Sequence, residues 1–415
     1  MNITSKIVAL SSAVAFALQI ALALLILRYF SPEEMGMFSA ISQIGLLWTS
    51  IALAQTPLLL LANHGASVFD DVRHAWVSSL QRFVWLSPFT ALAIWWSDLS
   101  FVNALLWALL LSLCQLTWML AQSMRLRMVG AWAQVGVRVL PQLIALFFTL
   151  AAVYMQWRGQ TLLTAALLGY AVGAAWLFPA LLSFWRKRFA NVSRVPYKTA
   201  HPATTLEPLQ PTNTILFGDN RSTNLRMAHT LIDAALVTAI VVVWHRLYGA
   251  EETGWMTASL RLMGFVPSVV HLAWAQVQIA QPIAQRKEVN PFWVGLGGAV
   301  CVSLLGASCA IAIAKGWLRE DWQGIWTYLF PLVLWQGSAC FIAAYSHIPF
   351  KTNKARKYSY LCIGVGIFQI SVLLTSCVIQ IEITPFMHFL GFSIFNLIGF
   401  ILILYVSKIF HNKLN

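Results

Sequence analysis

Residues Arg28 to Ile44 read RYFSPEEMGMFSAISQI, and Arg246 to Leu262 read RLYGAEETGWMTASLRL; the two stretches align without a gap. Arg28 pairs with Arg246, Glu33 and Glu34 with Glu251 and Glu252, Gly36 with Gly254, and Ala40 with Ala258. In each copy a hydrophobic run leads to a basic-aromatic exit, an acidic pair at the start of a helix, a glycine and a second hydrophobic run. The pattern is a hairpin of two membrane helices with a very short connector, occurring once in each half of the chain. Charged pairs are scarce in this sequence, so their return at matched positions points to an internal duplication.

The composition agrees with that reading. Hydrophobic residues make up 59% of the 415 residues, charged residues 10%, and mean hydropathy is +0.72. A soluble globular domain carries about a quarter charged residues, so the chain is an integral membrane protein. Apolar runs of roughly 20 residues recur without the alternation of a membrane β-barrel, which makes the spans helical. Windows of hydropathy place helices near residues 7–28, 36–62, 78–97, 101–122, 131–154, 161–184, 227–247, 254–280, 291–315, 324–348, 358–381 and 385–408, about twelve in all. The expected fold is therefore an all-α polytopic bundle of two six-helix halves. Each half begins from the same side, so a pseudo-two-fold axis runs along the membrane normal. The expected boundaries are 1–184 for the first half, 185–226 for a linker and 227–415 for the second half.

The net charge of +13 would suggest nucleic acid in a soluble protein. Here its distribution speaks to topology, and no nucleic-acid partner is expected. One set of connections holds only Arg28, Arg158, Arg246, Lys315 and Arg319, whereas the other holds most of the remaining Lys and Arg, including Arg186, Lys187 and Arg188. The positive-inside bias makes the second set cytoplasmic, with both termini on that side. Trp95, Trp96, Trp157, Trp317 and Trp322 cluster at the outer ends, where indole rings prefer the interface. The segment Arg186 to Arg226 is basic and carries Pro196, Pro202, Pro208 and Pro211, the make-up of a cytoplasmic tether between the bundles. Six cysteines fall inside apolar runs without a CxxC pair and read as small buried hydrophobes. No cofactor or metal is expected.

Ionisable groups inside spans are costly, about 2.5 to 3.5 kcal/mol each on insertion scales, so each needs a reason. The candidates are Arg138, Asp233, Arg261 and His271. Arg261 is either a cation lining a cavity or half of a structural pair. Arg138 lies closer to the cytoplasmic end, where it either serves the cavity or snorkels to the surface. Arg261 and His271 are ten residues apart, about 80 degrees of net helix rotation, and so lie on adjoining faces that can look into one cavity. Asp233 reads either as a proton carrier for coupling or as a fixed partner of an arginine. The paired glutamates sit at helix starts, where the helix dipole accounts for them without a ligand.

The connectors carry a family resemblance as well. An aromatic, two small residues, Glu-Glu, any residue and Gly, with an aromatic just after, runs from Phe30 to Phe38 and again from Tyr248 to Trp255. This resembles the polysaccharide-transporter branch, which includes the O-antigen flippases, of the multidrug/oligosaccharidyl-lipid/polysaccharide exporter superfamily. The resemblance implies a flippase that turns a polyprenyl-diphosphate-linked oligosaccharide from the cytoplasmic to the outer leaflet of a bacterial inner membrane. On their place inside apolar spans, and not on any motif of that family, substrate-binding roles are expected for Arg261, Arg138 and His271, the last of which reads otherwise as a helix-packing histidine, and a coupling role for Asp233. Membrane lipids and glycan polymerase machinery are the expected partners. A cation-coupled exporter of small molecules and a membrane enzyme that polymerises lipid-linked sugars stay open as alternatives. The enzyme would bring a large outer loop with catalytic residues, and no connection here is long enough on that side.

Overall fold

The computed structural model of the chain describes residues 3–54, 56–57, 60, 68–128, 131–157, 159–178, 220–275, 290–351, 355–379 and 383–411. The expected boundary at residue 184 and the linker as far as residue 219 lie outside the described residues.

Six helices form the first half: α1 (Ile3–Tyr29), α2 (Pro32–Leu53), α3 (Val68–Trp96), α4 (Phe101–Met128), α5 (Ala131–Tyr154) and α6 (Thr161–Ala175). The second half opens with a continuous helical stretch, Asn220–Val269, that breaks at Gly249 (φ 85°, ψ −178°) into α7 (220–248) and α8 (250–269). That backbone conformation suits glycine alone, which is why the turn costs only one residue. A π-helical turn, Val270–Ala275, extends α8. Then follow α9 (Pro291–Ala314), a 3₁₀ turn (Glu320–Ile325), α10 (Trp326–Tyr345), a short turn Ile348–Lys351, α11 (Ala355–Ile379) and α12 (Pro385–His411). Among the described residues, twelve helices thus alternate across the bilayer. Eight helical segments are long and apolar enough to span it by length and hydropathy, one of them the double-length 227–269.

Several helix starts fall before the hydropathy windows, and for two of them the physical reason is plain. α2 starts at Pro32 rather than near 36, because Ser31 caps it: Glu34 N donates to Ser31 Oγ (3.2 Å) and Ser31 N donates to Glu34 Oε2 (2.9 Å). Such a reciprocal cap, with proline at the first helical position, sets the start independently of apolarity. α3 starts at Val68, ten residues before its apolar run, with Asp70 and Asp71 in the first turn where the helix dipole favours them.

The connectors between α1 and α2, α3 and α4, α5 and α6, α7 and α8, α9 and α10, and α11 and α12 share one face of the molecule, here the connector face. Contacts across it include Trp322 Nε1 to Phe30 O (3.1 Å), His245 Nδ1 to Ser97 O (2.9 Å) and Trp107 Nε1 to Gln160 Oε1 (2.5 Å). Trp95, Trp157 and Trp317 are exposed there, as interfacial indoles should be. Trp322 is not: it is fully buried and hydrogen-bonded to the first connector, so it packs the halves together instead of facing lipid headgroups. The cysteines are free, with Cys340 and Cys362 buried and Cys301 exposed on α9.

One apolar core runs through both halves, from Ile26, Phe30, Ile41 and Ile44 to Trp244, Met256, Trp322, Tyr328 and Phe389. A second core belongs to the first half, where Trp48 stacks on Phe83 at 4.0 Å and donates to its carbonyl at 2.8 Å. The halves meet chiefly where α2 lies along α7 and α8, with a smaller contribution from α1.

Candidate functional site

The seam between the halves begins at the connector face with the two matching motifs pressed together. A Cβ on Gly36 would stand 1.8 Å from Ala250 O, and a Cβ on Gly254 would stand 1.8 Å from Pro32 O. The two contacts mirror each other, since Ala250 and Pro32 occupy equivalent places in the repeat. Only glycine permits this approach, because any side chain would drive into backbone that has no rotamer to yield. Around the crossing, Arg246 Nη1 reaches Asp98 Oδ2 at 2.8 Å. His245 Nδ1 contacts Ser97 O at 2.9 Å, and the buried Trp322 closes over Phe30. Polar contacts continue along the seam to about mid-membrane, where Thr238 Oγ1 donates to Gln43 O (3.2 Å) and Arg261 Nη2 to Ser39 Oγ (3.5 Å).

Arg261 lies twelve residues beyond Gly249 on α8, about 18 Å of helix and so past the middle of a bilayer core about 30 Å thick. Residues of both halves lie around it, yet its side chain is exposed. Its guanidinium carbon sits 4.9 Å from the centre of the Phe38 ring, and the Tyr170 hydroxyl of α6 is within electrostatic reach. Phe38, Ser39 and Tyr170 belong to the first half and Arg261 to the second, so the arrangement exists only where the halves face each other. Among the described residues no carboxylate forms a salt bridge with Arg261. Tyr170 in turn stacks on Trp118 (5.3 Å, 27°), extending an aromatic wall into the first half.

Asp233 and His271 form a separate group inside the second half. Asp233 Oδ2 is 3.4 Å from His229 Nε2, one turn back on α7, and its side chain is 65% exposed, so its partner is an imidazole and not an arginine. His271 is within electrostatic reach of Asp233 and approaches Ser346 Oγ on α10 at 3.3 Å. The structure therefore groups His271 with Asp233 and leaves Arg261 facing the first half. The π turn begins only at Val270, so Arg261 and His271 stay on adjoining faces of α8, and it is their neighbours on other helices that separate them. Arg138 is half-buried on α5, a helix packed against α1 and α6.

Signals for the partners of Arg261 were weak in the sequence. Ser39 and Phe38 lie within the repeat but carry no charge, and Tyr170 sits in an apolar helix like any core aromatic. A groove of about 630 Å³ between α9 and α10, lined by Gly306, Ala310, Trp326, Phe330 and Phe386, lies away from all four candidate residues.

No family model matches the sequence, and no curated protein matches it. Among solved structures, one described as the lipid II flippase MurJ in an inward closed conformation superposes with a TM-score of 0.64 at 11% identity, over 96% of this chain and 87% of that one. An inward-facing multidrug resistance MATE transporter of the MOP superfamily aligns over 95% of this chain and 94% of that one, at 12% identity and a TM-score of 0.48. At such identity the first of these speaks to the fold alone: the described residues share the helical, two-halved arrangement of that flippase structure.

Proposed function

We propose that the chain is a flippase that moves a polyprenyl-diphosphate-linked oligosaccharide from the cytoplasmic to the outer leaflet of a bacterial inner membrane, acting as a transporter and not as an enzyme. The observation that carries the reading is Arg261. A guanidinium placed within the spans and without a carboxylate is short of counter-charge. An anionic ligand supplies what is missing, and a diphosphate matches the planar fork of donors particularly well. Tyr170 and Phe38 add ring faces of the kind sugars stack on. The lipid tail stays in the bilayer while the head crosses between the bundles.

The connector face is taken as the outer face, because Lys and Arg crowd the opposite one; both termini are then cytoplasmic. The seam is closed at the connector face. Rocking of residues 1–184 against 227–415, with 185–226 as the cytoplasmic tether, gives alternating access. Arg138 and His271 complete the substrate-binding set, and Asp233, an accessible carboxylate between two imidazoles, is the coupling site. The fold is shared with a lipid II flippase, which supports a lipid-linked cargo without specifying the O-antigen branch or the glycan. Glycan polymerase machinery downstream is a further proposed partner.

Deletion followed by lipid analysis tests the reading. Build-up of one polyprenyl-linked oligosaccharide on the cytoplasmic leaflet is the expected result, and Arg261→Ala and Arg261→Lys at normal protein levels should both reduce its transfer. Full activity of Arg261→Ala removes Arg261 from the mechanism. An unchanged lipid pool overturns the flippase reading; with shortened glycan chains it favours the polymerising enzyme. The same unchanged pool with new drug sensitivity favours a cation-coupled exporter, the reading that Asp233 and its two imidazoles would also serve.

A further inference from the structure

His388, on the first turns of α12, is 7% exposed and plays no part in the cargo pathway described above. Both of its ring nitrogens have partners: Nδ1 meets Tyr248 Oη at 2.9 Å and Nε2 meets Ser376 Oγ at 3.0 Å. Each of these hydroxyls also has a carbonyl to which it can donate instead. Tyr248 Oη lies 3.3 Å from Ile383 O, and Ser376 Oγ lies 3.0 Å from Leu373 O. A neutral imidazole needs one partner that accepts and one that donates, whereas an imidazolium needs two that accept. The two hydroxyls meet either demand by turning, with no heavy atom displaced.

Burial opposes a cation here, and the surroundings offset part of that cost. The Trp244 indole stacks on the ring at 4.7 Å and 26°, presenting its negative face. Trp244 Nε1 donates to Tyr328 Oη (2.8 Å), and Tyr328 donates to the Glu252 carboxylate, so an acidic group is joined to the far edge of that indole. The other ionisable groups around the site are Tyr248, Glu251 and Arg246 from α7 and α8, Tyr328 from α10, and Cys377 from α11. Arg246 is engaged with Asp98 of the first half, which leaves Glu252 as the charge linked, through Tyr328, to the indole that stacks on the ring.

We propose that His388 is a proton-binding site, held by Tyr248 and Ser376 so that both nitrogens are satisfied in either charge state. Its position gives the proton a consequence. Trp244 and Tyr248, which contact the ring, sit within five residues of the Gly249 turn, and the neighbouring His245 and Arg246 hold the first half. A charge gained on His388 therefore acts on the turn that carries the seam.

The test is nuclear magnetic resonance of the full chain in lipid nanodiscs, with ring nitrogens of its nine histidines labelled. One histidine should pass from one to two protonated nitrogens between about pH 8 and pH 5, and its signal should vanish in His388→Gln. Tyr248→Phe, which keeps His388 but removes the acceptor at Nδ1, should weaken proton binding about tenfold. If His388 keeps one protonated nitrogen throughout, or Tyr248→Phe leaves all histidine titrations unchanged, the proposal falls. Should His388→Gln fail to fold, the Tyr248→Phe result decides alone. No cargo enters the measurement, so its failure and a failure of the transport reading are told apart.

Discussion

In the first connector, Ser31 and Glu34 close a reciprocal cap on α2, with Pro32 at the first helical position. In the second, Gly249 stands where Ser31 does, takes the whole turn at φ 85°, and leaves Glu252 to accept from Tyr328 instead of capping. Yet Gly36 and Gly254 do the same thing in both copies: each admits the backbone of the other. Further along, Gln43 matches Arg261, so one copy carries an amide where the other carries a charge. The comparison shows which part of a duplicated hairpin is tied to its twin. The glycines cannot change independently because they touch each other's chain, whereas cap and cavity residues face different neighbours and were free to diverge.

The largest expected effect is at the crossing. Gly254→Val places carbon inside the Pro32 carbonyl, and the overlap can be relieved only by moving a helix, at about 1–3 kcal/mol or more. Spin labels at the exposed positions Tyr29 and Trp317 should then report a shift of at least about tenfold toward longer separations across the connector face. An unchanged distribution would show that the glycines do not hold the seam. Gly36→Val should act alike, and a different outcome would mean that the mirrored contacts are not equivalent.

Next comes the diverged position. Arg261→Gln gives both copies the same amide and should reduce cargo movement at least about tenfold, the value of one charge-assisted hydrogen bond. Adding Gln43→Arg should not restore it, because Phe38, Ser39 and Tyr170 are arranged around the second-half site; full rescue would mean that the charge matters and its place does not. Smaller still is the difference between the acidic pairs. Glu252→Ala, which strips the acceptor from Tyr328, should cost about 1–3 kcal/mol, while Glu34→Ala, which loses one side of a cap, should cost about 0.5–1 kcal/mol. Thermal unfolding of the purified chain would reverse this order if Glu252 were only a surface charge. The smallest effect belongs to Asp98→Asn. The Asp98–Arg246 pair is substantially exposed, its side chains 75% and 43% accessible, so about 0.2–1 kcal/mol of seam closure is expected, fading in high salt.

Much of the architecture was legible in the chain. Recurrent apolar runs located the twelve helices, and the repeated acidic connector divided them into halves. Ser31 and Glu34, three apart, even carried the start of α2, though hydropathy alone placed it four residues late. What stayed hidden was contact between distant segments. Periodicity describes one helix at a time, so Gly36 and Gly254 looked like ordinary helix glycines until their backbones were seen to cross. Arg261 stood out because a charge in an apolar run is rare. Its partners did not, since Ser39, Phe38 and Tyr170 cost little to bury and leave no trace in composition. The neighbours of His271, Ser346 and Asp233, lie on other helices, and a count along α8 alone does not reach them. His388 passed unremarked for the same reason as Tyr170: a histidine in an apolar helix reads as packing until its neighbours are known.

The two halves are joined chiefly along a single line, α2 against α7 and α8. Under the flippase reading, halves joined along one line would part on the side away from it, and a hydrocarbon tail would trail out there into the surrounding oil however many carbons it has. A carrier of that kind would measure its cargo by the head alone and stay indifferent to the length of the chain behind it.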